Sequence, residues 1–514
     1  MTDRTDRPER ISATQLLAKL ADEGSWHPWD SQITALPDDA GYAEDIGRAR
    51  EKTGLDESII CGEADVNGVR VAVVVSEFGF LGGSIGRDAG RRVVTAIRRA
   101  TAEGLPLLAL PASGGTRMQE GTAAFLQMVN ITAAVVDHKA AHLPYVVYLR
   151  HPTTGGVFAS WGSLGHVTLA EPGALVGFLG PRVYEGLYGE AFPEGVQVSE
   201  NLRSHGLVDL VVAVDELGST ASRIIRLLVD PMVDAEHSRR EPAGPSSGPS
   251  SAPGLSEGTV VESSAWDVVE QSRVPGRPGV SQLLRESADE AVELAGGGEL
   301  NSRSGIILAL ARFGGHSVVV VGQDRNRQVP GSLVGPADLR LARRGMRLAQ
   351  SLHLPLVTVI DTPGADLSAD AEESGLANEI AHCIAELTAL TVPTVAVLLG
   401  QGAGGAALAL FPADRVIAME NSWLSPLPPE GASLIVYRDT DHAADMARSQ
   451  GIRATDLHAA GIVDVVVSEA ALGGFLPELG DRLAAELDAL DDSTVEARAG
   501  WRTERLRRIG GVEI

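Results

Sequence analysis

Cysteine is scarce in this chain of 514 residues, which contains only Cys61 and Cys383. The two are far apart and form no Cys-x-x-Cys spacing, so we expect no metal site in this chain. They also provide no disulfide framework, which favours a reducing compartment. The chain opens without an apolar signal region and has no apolar run approaching about 18 residues. These absences predict a cytoplasmic protein.

Positive charge is also in deficit, since 43 Lys and Arg face 68 Asp and Glu, for a formal net charge of −25. Such a chain repels nucleic acid and anionic membranes, so neither is expected as a partner. Aromatic residues make up 4% of the chain, whereas glycine occurs 58 times. This composition favours small-residue turns and close helix packing over aromatic-lined grooves.

No side-chain nucleophile stands out in the sequence, and the GxxxxGK[ST] phosphate loop is absent. His151 is better explained as a solvated or structural residue than as a catalytic base. We therefore expect chemistry in which backbone donors polarise a carbonyl group and the base arrives with a cofactor.

Two stretches of the same kind do stand out, at residues 143–165 (LPYVVYLRHPTTGGVFASWGSLG) and 392–410 (VPTVAVLLGQGAGGAALAL). Each pattern is typical of a buried strand that opens through a Gly-Gly turn into a helix of small residues. The first N–H groups of such a helix have no partner within it. Each stretch therefore predicts an oxyanion site made of backbone alone.

The two stretches belong to an internal repeat with a constant offset. Gly115 in ASGGT corresponds to Gly364 in DTPGA (364 − 115 = 249), and the pair at 155–156 corresponds to the pair at 404–405. Late in each half, HGLVDLVV at 205–212 corresponds to AGIVDVVV at 460–467, where the offset has grown by six residues (460 − 205 = 255). Repetition of this kind predicts two similar domains with two similar turns.

A single Gly-Gly pair more often marks tight packing of a helix on a sheet than a binding site. The matched offset of two pairs reverses that preference. A second glycine-rich turn, SGGTRMQEG at 113–121, either cradles a phosphate or simply builds a turn. Arg117 in this turn either binds a ligand or pairs with Glu120.

The alternation of strands and helices predicts layered α/β units in both halves. We place a first domain with N-terminal helices at 1–234, a Pro/Ser/Gly-rich linker at 235–257 and a second domain at 258–514. Asn67-Gly68 between two apolar runs predicts a β-hairpin.

The two halves resemble the two carboxyltransferase subunits of multi-subunit acetyl-CoA carboxylase. Residues from about 11 to 215 resemble the β subunit, through EFGFLGGSIG, ASGGTRMQEG and LPYVVYLRHPTTGGVFAS. Residues from about 264 to 490 resemble the α subunit, through TVIDTPGA, AEESGLANEIA and GQGAGGAALAL. The resemblance implies two tandem crotonase-like domains, each built from ββα units stacked into a superhelix.

The implied reaction moves a carboxyl group from carboxybiotin to the α-carbon of acetyl-CoA, or of a related short acyl-CoA, to give malonyl-CoA. The implied partners are a biotin carboxyl carrier protein and a biotin carboxylase. In this family the first domain binds the acyl-CoA and the second binds biotin, and the active site lies between protomers. We therefore expect a homo-oligomer, either a dimer or a larger assembly such as a hexamer.

The resemblance also assigns roles to residues. It implies that Gly155 and Gly156 hold the thioester enolate, and that the backbone at Gly405 and Ala406 holds the ureido oxygen of biotin. The second glycine of the α-family pair aligns with Ala406, although the internal repeat puts the pair at 404 and 405. The further residues expected to contact acyl-CoA or biotin are Gly114, Gly115, Arg117, Gly364, Ala365 and Gly404.

Several departures from the family leave the acceptor open. The β subunit usually begins with a four-cysteine zinc ribbon, and this chain has none. The α-type motifs are also altered, at 323–327, 364–368 and 371–376. Two alternatives therefore stand beside the carboxyltransferase: a biotin-independent decarboxylase of malonyl thioesters, and a non-catalytic scaffold that binds acyl-CoA.

Overall fold

The computed structural model of the chain describes residues 10–29, 33, 36–37, 39–120, 124–178, 190–229, 263–295, 304–328, 333–469, 474–491, 493–495, 497–498 and 500. The predicted linker at 235–257 lies outside these residues. The chain separates into two compact units. The first comprises Met1–Val229 with Leu294–Asn301, and the second comprises Asp230–Glu293 with Ser302–Ile514.

The first unit is a mixed α/β unit. Its described helices and strands are α1 (Ala13–Leu20), β1 (His27–Pro28), α2 (Ala40–Thr53), β2 (Ile59–Val66), β3 (Val69–Ser76), α3 (Arg87–Ala102), β4 (Leu107–Leu110), α4 (Gln127–Ala140), β5 (Tyr145–Leu149), β6 (Thr153–Thr154), α5 (Gly155–Phe158), β7 (Val167–Ala170), β8 (Val176–Gly177), α6 (Ser199–Ser204), β9 (Leu210–Val211) and α7 (Val214–Leu228). Seven strands form one sheet in the order β1-β2-β3-β4-β5-β7-β9, and β6 pairs with β8.

Local sequence explains where the first elements begin and end. Ser12 caps α1 in a capping box with Gln15, which satisfies backbone N–H groups that the helix leaves unpaired. Gly54 ends α2 in the left-handed conformation. Asn67 and Gly68 both have positive φ and join β2 to β3, so the predicted hairpin is confirmed.

The sheet carries the turns of the predicted site because its central strands are buried along their length. All residues of β4 and β5 are buried, and these two strands pair in parallel. The helices α3 and α4 cover one face, with Val93, Ile97 and Ile131 in the core. Strands buried on both faces are typical of parallel sheets covered by helices.

The second unit repeats this architecture. Its described helices and strands are α8 (Ala265–Ser272), α9 (Val280–Ser287), β10 (Glu290–Leu294), β11 (Ile306–Phe313), β12 (His316–Gln323), α10 (Pro336–Leu352), β13 (Leu356–Thr362), α11 (Ala369–Glu373), α12 (Leu376–Ala389), β14 (Thr394–Ala403), α13 (Gly404–Leu408), β15 (Arg415–Met419), β16 (Trp423–Ser425), α14 (Pro429–Val436), α15 (Ala443–Ser449), α16 (Ala454–Ala459), β17 (Val465–Val467) and α17 (Leu476–Asp491). The sheet order is β10-β11-β12-β13-β14-β15-β17, and β16 pairs with β14.

The backbone repeats the sequence offset in detail. Gly155 and Gly404 have φ values of 65° and 66°. Isolated parallel bridges join Ile85 to Thr116 in the first unit and Val334 to Ala365 in the second, again 249 positions apart. Each half therefore builds the same kind of turn at the corresponding place in its own sheet.

Candidate active site

The first turn begins where β5 leaves the sheet. The chain passes through a cis His151-Pro152 peptide bond into β6, and Thr153 forms a parallel bridge with Ser113 of the neighbouring loop. Gly155 then reverses the chain with a φ of 65°, which residues with a side chain rarely adopt. The sequence-predicted loop at 113–117 and the predicted Gly-Gly turn are therefore brought together.

The two glycines of this turn differ in their N–H groups. The Gly155 N–H donates to the carbonyl oxygen of Phe178 at 2.9 Å. The residue after β8 thus already accepts a bond from Gly155, and the expected role of Gly155 in holding the enolate stays a prediction. The Gly156 N–H has no acceptor within the described part of the chain. Gly156 is thus the residue of the pair that can donate to a ligand.

The loop at 113–117 packs directly against this turn. Gly115 has a φ of 107°, and a Cβ atom added to it would lie 3.4 Å from the Gly155 Cα and from the Gly156 N. Its own N–H donates to the Ser113 hydroxyl at 3.0 Å, and the Gly114 N–H donates to the Gly82 carbonyl at 2.8 Å. These N–H groups are therefore not free to cradle a phosphate, and the glycines instead permit close approach of two backbone segments.

Arg117 ends this loop with a fully buried side chain. Its guanidinium donates to both carboxylate oxygens of Glu57, at 2.8 Å and 2.5 Å, and to the Ser84 carbonyl at 2.7 Å. Glu120, the partner suggested by the sequence, is farther away at 3.7 Å. Burial alone lowers the pKa of an arginine, but the bonds to Glu57 outweigh it and raise the Arg117 pKa. A ligand contact for Arg117 stays a prediction.

His151 is a structural residue, as predicted. It is buried, and its Nδ1 atom accepts a hydrogen bond from the Leu175 N–H at 3.1 Å. Its own backbone N–H donates to the Glu171 carboxylate at 2.8 Å. These bonds tie the residues before the first turn to the neighbouring strand.

The second turn follows β14 and has free donors at the corresponding place. Neither the Gly405 N–H nor the Ala406 N–H has an acceptor among the residues that the structure describes. A Cβ atom on Gly405 would lie 2.8 Å from the Ile380 Cδ1, so the glycine lets α12 approach the turn. The Ala406 carbonyl accepts a bond from the Gln323 side chain at 2.7 Å, which holds the turn in place.

The loop beside the second turn mirrors the loop beside the first. The Gly364 N–H donates to the Thr362 hydroxyl at 3.1 Å, and Gly364 has a φ of 141°. Thr362 corresponds to Ser113, whose hydroxyl makes the same bond. Ala365 bridges to Val334, and no acceptor is found for its N–H in the described ranges. Gly364 therefore shapes the loop, whereas Ala365 retains a free donor.

Main-chain N–H groups that have no acceptor among the described residues occur in both halves, at Gly156 and at Gly405 with Ala406. Such donors stabilise negative charge that develops on a carbonyl oxygen. Across the described residues, no group of three or more His, Cys, Asp or Glu is placed to hold a metal ion. No helix in the described part of the chain is long and apolar enough to cross a membrane.

Comparison of the sequence with known proteins places these turns in a known family. Residues 13–477 match the carboxyl transferase domain, and the chain belongs to this family. A Mycobacterium tuberculosis protein named "Probable biotin-dependent acyl-coenzyme A carboxylase beta3 subunit" is 54% identical over 506 residues, covering 98% of this chain and 99% of that protein. The "Acetyl-coenzyme A carboxylase carboxyl transferase subunits beta/alpha" of Salinispora arenicola are 37% identical over 533 residues, covering 98% and 92%.

Solved structures show the same fold. A transcarboxylase 12S structure has a TM-score of 0.71 at 20% identity, covering 93% of this chain and 90% of that chain. A single-chain, multi-domain long-chain acyl-CoA carboxylase has a TM-score of 0.71 at 19% identity, covering 93% of this chain and 46% of that chain. The predictions of a carboxyltransferase relationship and of tandem crotonase-like α/β domains are confirmed.

Sequence reasoning missed the side chains that support the turns. Ser113 and Thr362 carry hydroxyls at the repeat offset, so alignment of the two halves could have found them. No sequence pattern pointed to Glu57 or Asp361. Glu57 lies far from the motif that it supports, and Asp361 aligns with Ala112 in the other half.

Proposed function

We propose that the chain is the carboxyltransferase component of a biotin-dependent acyl-CoA carboxylase, and that its acceptor is acetyl-CoA or a related short acyl-CoA. The observation that carries the proposal is the pair of matched turns with free main-chain donors in a chain of this family. The biotin would be attached to a separate carrier protein. The other proposed partners are a biotin carboxylase and further copies of this chain.

The first turn would act on the acyl thioester. The Gly156 N–H would donate to the thioester oxygen, which gains negative charge as the α-proton leaves. A Cβ atom on Gly156 would lie 3.2 Å from the Met128 Cγ and 3.3 Å from the Thr116 Oγ1, so the glycine lets these side chains pack against the turn. The loop at 113–117, held by the Arg117 and Glu57 pair, would fix the wall of this turn.

The second turn would receive biotin, and its residues fit a ureido oxygen, since the N–H groups of Gly405 and Ala406 are both without acceptors among the described residues. When bound, the cofactor supplies the carboxyl group and the base. The Gly405 and Ala406 donors would orient the ureido group and stabilise negative charge on its oxygen. Ala365 lies in the adjoining loop and offers a further N–H.

The test uses the purified full chain with malonyl-CoA, in the presence and absence of biotin. The proposed function predicts decarboxylation that depends on biotin. Equal turnover of malonyl-CoA without biotin would instead support the decarboxylase. No turnover in the presence or absence of biotin, together with measurable binding of acyl-CoA, would support the scaffold. Acetyl-, propionyl- and longer acyl-CoAs, offered with a biotinylated carrier, a biotin carboxylase, ATP and bicarbonate, then define the acceptor.

A backbone substitution at the first turn tests the proposed donor. Gly156→Pro removes an N–H that has no acceptor within the described residues, and proline is tolerated in the first turn of a helix. Loss of one such donor typically lowers kcat by about 100-fold to 1,000-fold. Gly156→Ala is the control that keeps the N–H, and because its Cβ atom would lie 3.2 Å from the Met128 Cγ, its own loss measures the steric part of the effect. Equal activity of the two variants would contradict the assignment.

A further inference from the structure

The second turn is preceded by a break in strand register. β13 and β14 pair from Leu356 with Thr394 to Ile360 with Leu398, and the next pair is Thr362 with Gly402. Asp361 therefore lies opposite the three residues 399–401. A bulge of this kind bends the strand and redirects the residues that follow it. Those residues lead directly into the turn at 404–406.

The side chain of Asp361 occupies this bulge. It is fully buried, and its Oδ1 atom accepts the Gln401 N–H at 3.0 Å. A Cβ atom on Gly400 would lie 2.6 Å from the same oxygen, so the glycine leaves room for the carboxylate. One side chain therefore provides the acceptor that the irregular strand needs.

One guanidinium group pairs with this carboxylate, and a second is close enough to act on it electrostatically. The Arg325 Nη1 atom lies 3.4 Å from the Asp361 Oδ2 atom. Arg277 is the second positive group, and it also pairs with Glu469 and donates to the Leu399 carbonyl at 2.9 Å. Asp324 is the nearby group of like charge. Burial raises the pKa of Asp361 to about 6, although Arg325 and the Gln401 N–H oppose the rise.

The first unit does not use an aspartate at the corresponding position. The residues 249 positions before Asp361 and Gln401 are Ala112 and Pro152. Proline has no N–H, so the strand at that position needs no acceptor. The two turns therefore have the same shape but different supports: Glu171 accepts the His151 N–H at 2.8 Å before the first turn, whereas Asp361 accepts the Gln401 N–H before the second.

We propose that Asp361 is a positioning residue: its ionised carboxylate holds the bulge at 399–401 and thereby aims the N–H groups of Gly405 and Ala406. It does so without contacting a substrate. The kinetic part of its test rests on the proposed function, whereas the conformational part rests on the bulge alone.

The test compares Asp361→Ala and Asp361→Asn with a matched control, Asp414→Asn. Asp414 is equally buried and accepts the Thr394 N–H at 2.8 Å, but at the opposite end of the same strand. The first readout is hydrogen exchange of peptides covering 399–408. The second is kcat and KM for free biotin and for malonyl-CoA, measured between pH 5 and pH 8.

Asp361→Ala is expected to speed exchange across 399–408 and to lower kcat/KM for biotin by about 100-fold, the loss expected from a misplacement of about 1 Å. KM for malonyl-CoA should change less than two-fold. Asp361→Asn retains one acceptor oxygen and should show a smaller loss. Wild-type activity should fall as pH drops through about 6, and Asp361→Asn should lack that fall. Asp414→Asn should show none of these effects.

Unchanged exchange at 399–408 in Asp361→Ala would overturn the proposal, as would an equal change in Asp414→Asn. A loss confined to KM for malonyl-CoA would also overturn it. If the wild-type chain shows no activity that depends on biotin, the proposed function fails, yet faster exchange in Asp361→Ala alone would still support the positioning role.

Discussion

Helix α17 of the second unit should loosen as pH rises, because a protonated histidine holds it against β12. His316 begins β12, and its ring lies 2.8 Å from the Asp488 carboxylate and 3.3 Å from the Asp491 carboxylate, both on α17. The hydrogen bond to Asp491 is the largest cause that raises the His316 pKa, to about 9. The charged imidazolium is thus the form that binds the helix.

The size of the effect follows from the shift. A pKa raised from 6.5 to about 9 stabilises the folded state fully below pH 6.5, and this stabilisation is lost as pH rises through about 9. At about 1.4 kcal/mol per pKa unit, the upper value is roughly 3 kcal/mol. Asp488 is exposed, and solvent screens its charge, so we expect about 1 to 2 kcal/mol.

Hydrogen exchange of peptides covering Leu476–Asp491 measures this directly, once the intrinsic pH dependence of exchange is removed. Protection should fall roughly ten-fold between pH 6.5 and 8.5 in the wild type, and not in His316→Gln. His442→Gln is the control, since that ring lies 3.3 Å from Asp445 but is exposed. A pH dependence that persists in His316→Gln would refute the reasoning.

Three further predictions concern the first unit. Gly155→Ala should lower stability by about 1 to 2 kcal/mol more than Gly156→Ala in thermal unfolding, because only Gly155 has a positive φ; equal losses would contradict this. Glu57→Gln should cost at most about 3 to 5 kcal/mol in urea unfolding, because buried Arg117 keeps only the Glu120 carboxylate, at 3.7 Å, as a charged partner among the described residues, and Arg117→Met in the same chain should restore part of the loss. Burial lowers the pKa of His166, so the stability that the neutral ring contributes is present above pH 6.5 and is lost on acidification. His166→Asn should make the free energy of unfolding depend less on pH in the acid range. An unchanged dependence would exclude this cause.

The repeat made much of the fold predictable. Glycines at a constant offset marked the turns, and Gly155 and Gly404 indeed have nearly the same φ. The hairpin at Asn67 and the stop at Gly54 were also predictable, because both depend on a few neighbouring residues. Patterns of this kind are local, so a single sequence contains them.

The contacts that complete the site were not predictable, since they join distant segments. The Phe178 carbonyl takes the Gly155 N–H, and nothing in either local pattern links the two. Arg117 had Glu120 as its neighbour in sequence, but it pairs with Glu57, 60 positions upstream. Asp361 supports a bulge that exists only once its strand has paired.

The free donors at Gly156, Gly405 and Ala406 are groups that every residue except proline possesses. An alanine scan across either turn would therefore leave them all in place and would report mainly steric effects. Replacing single peptide bonds by esters, through incorporation of α-hydroxy acids, would remove one donor at a time while leaving side chains unchanged. For this protein, replacements in the main chain are therefore more informative than replacements of side chains.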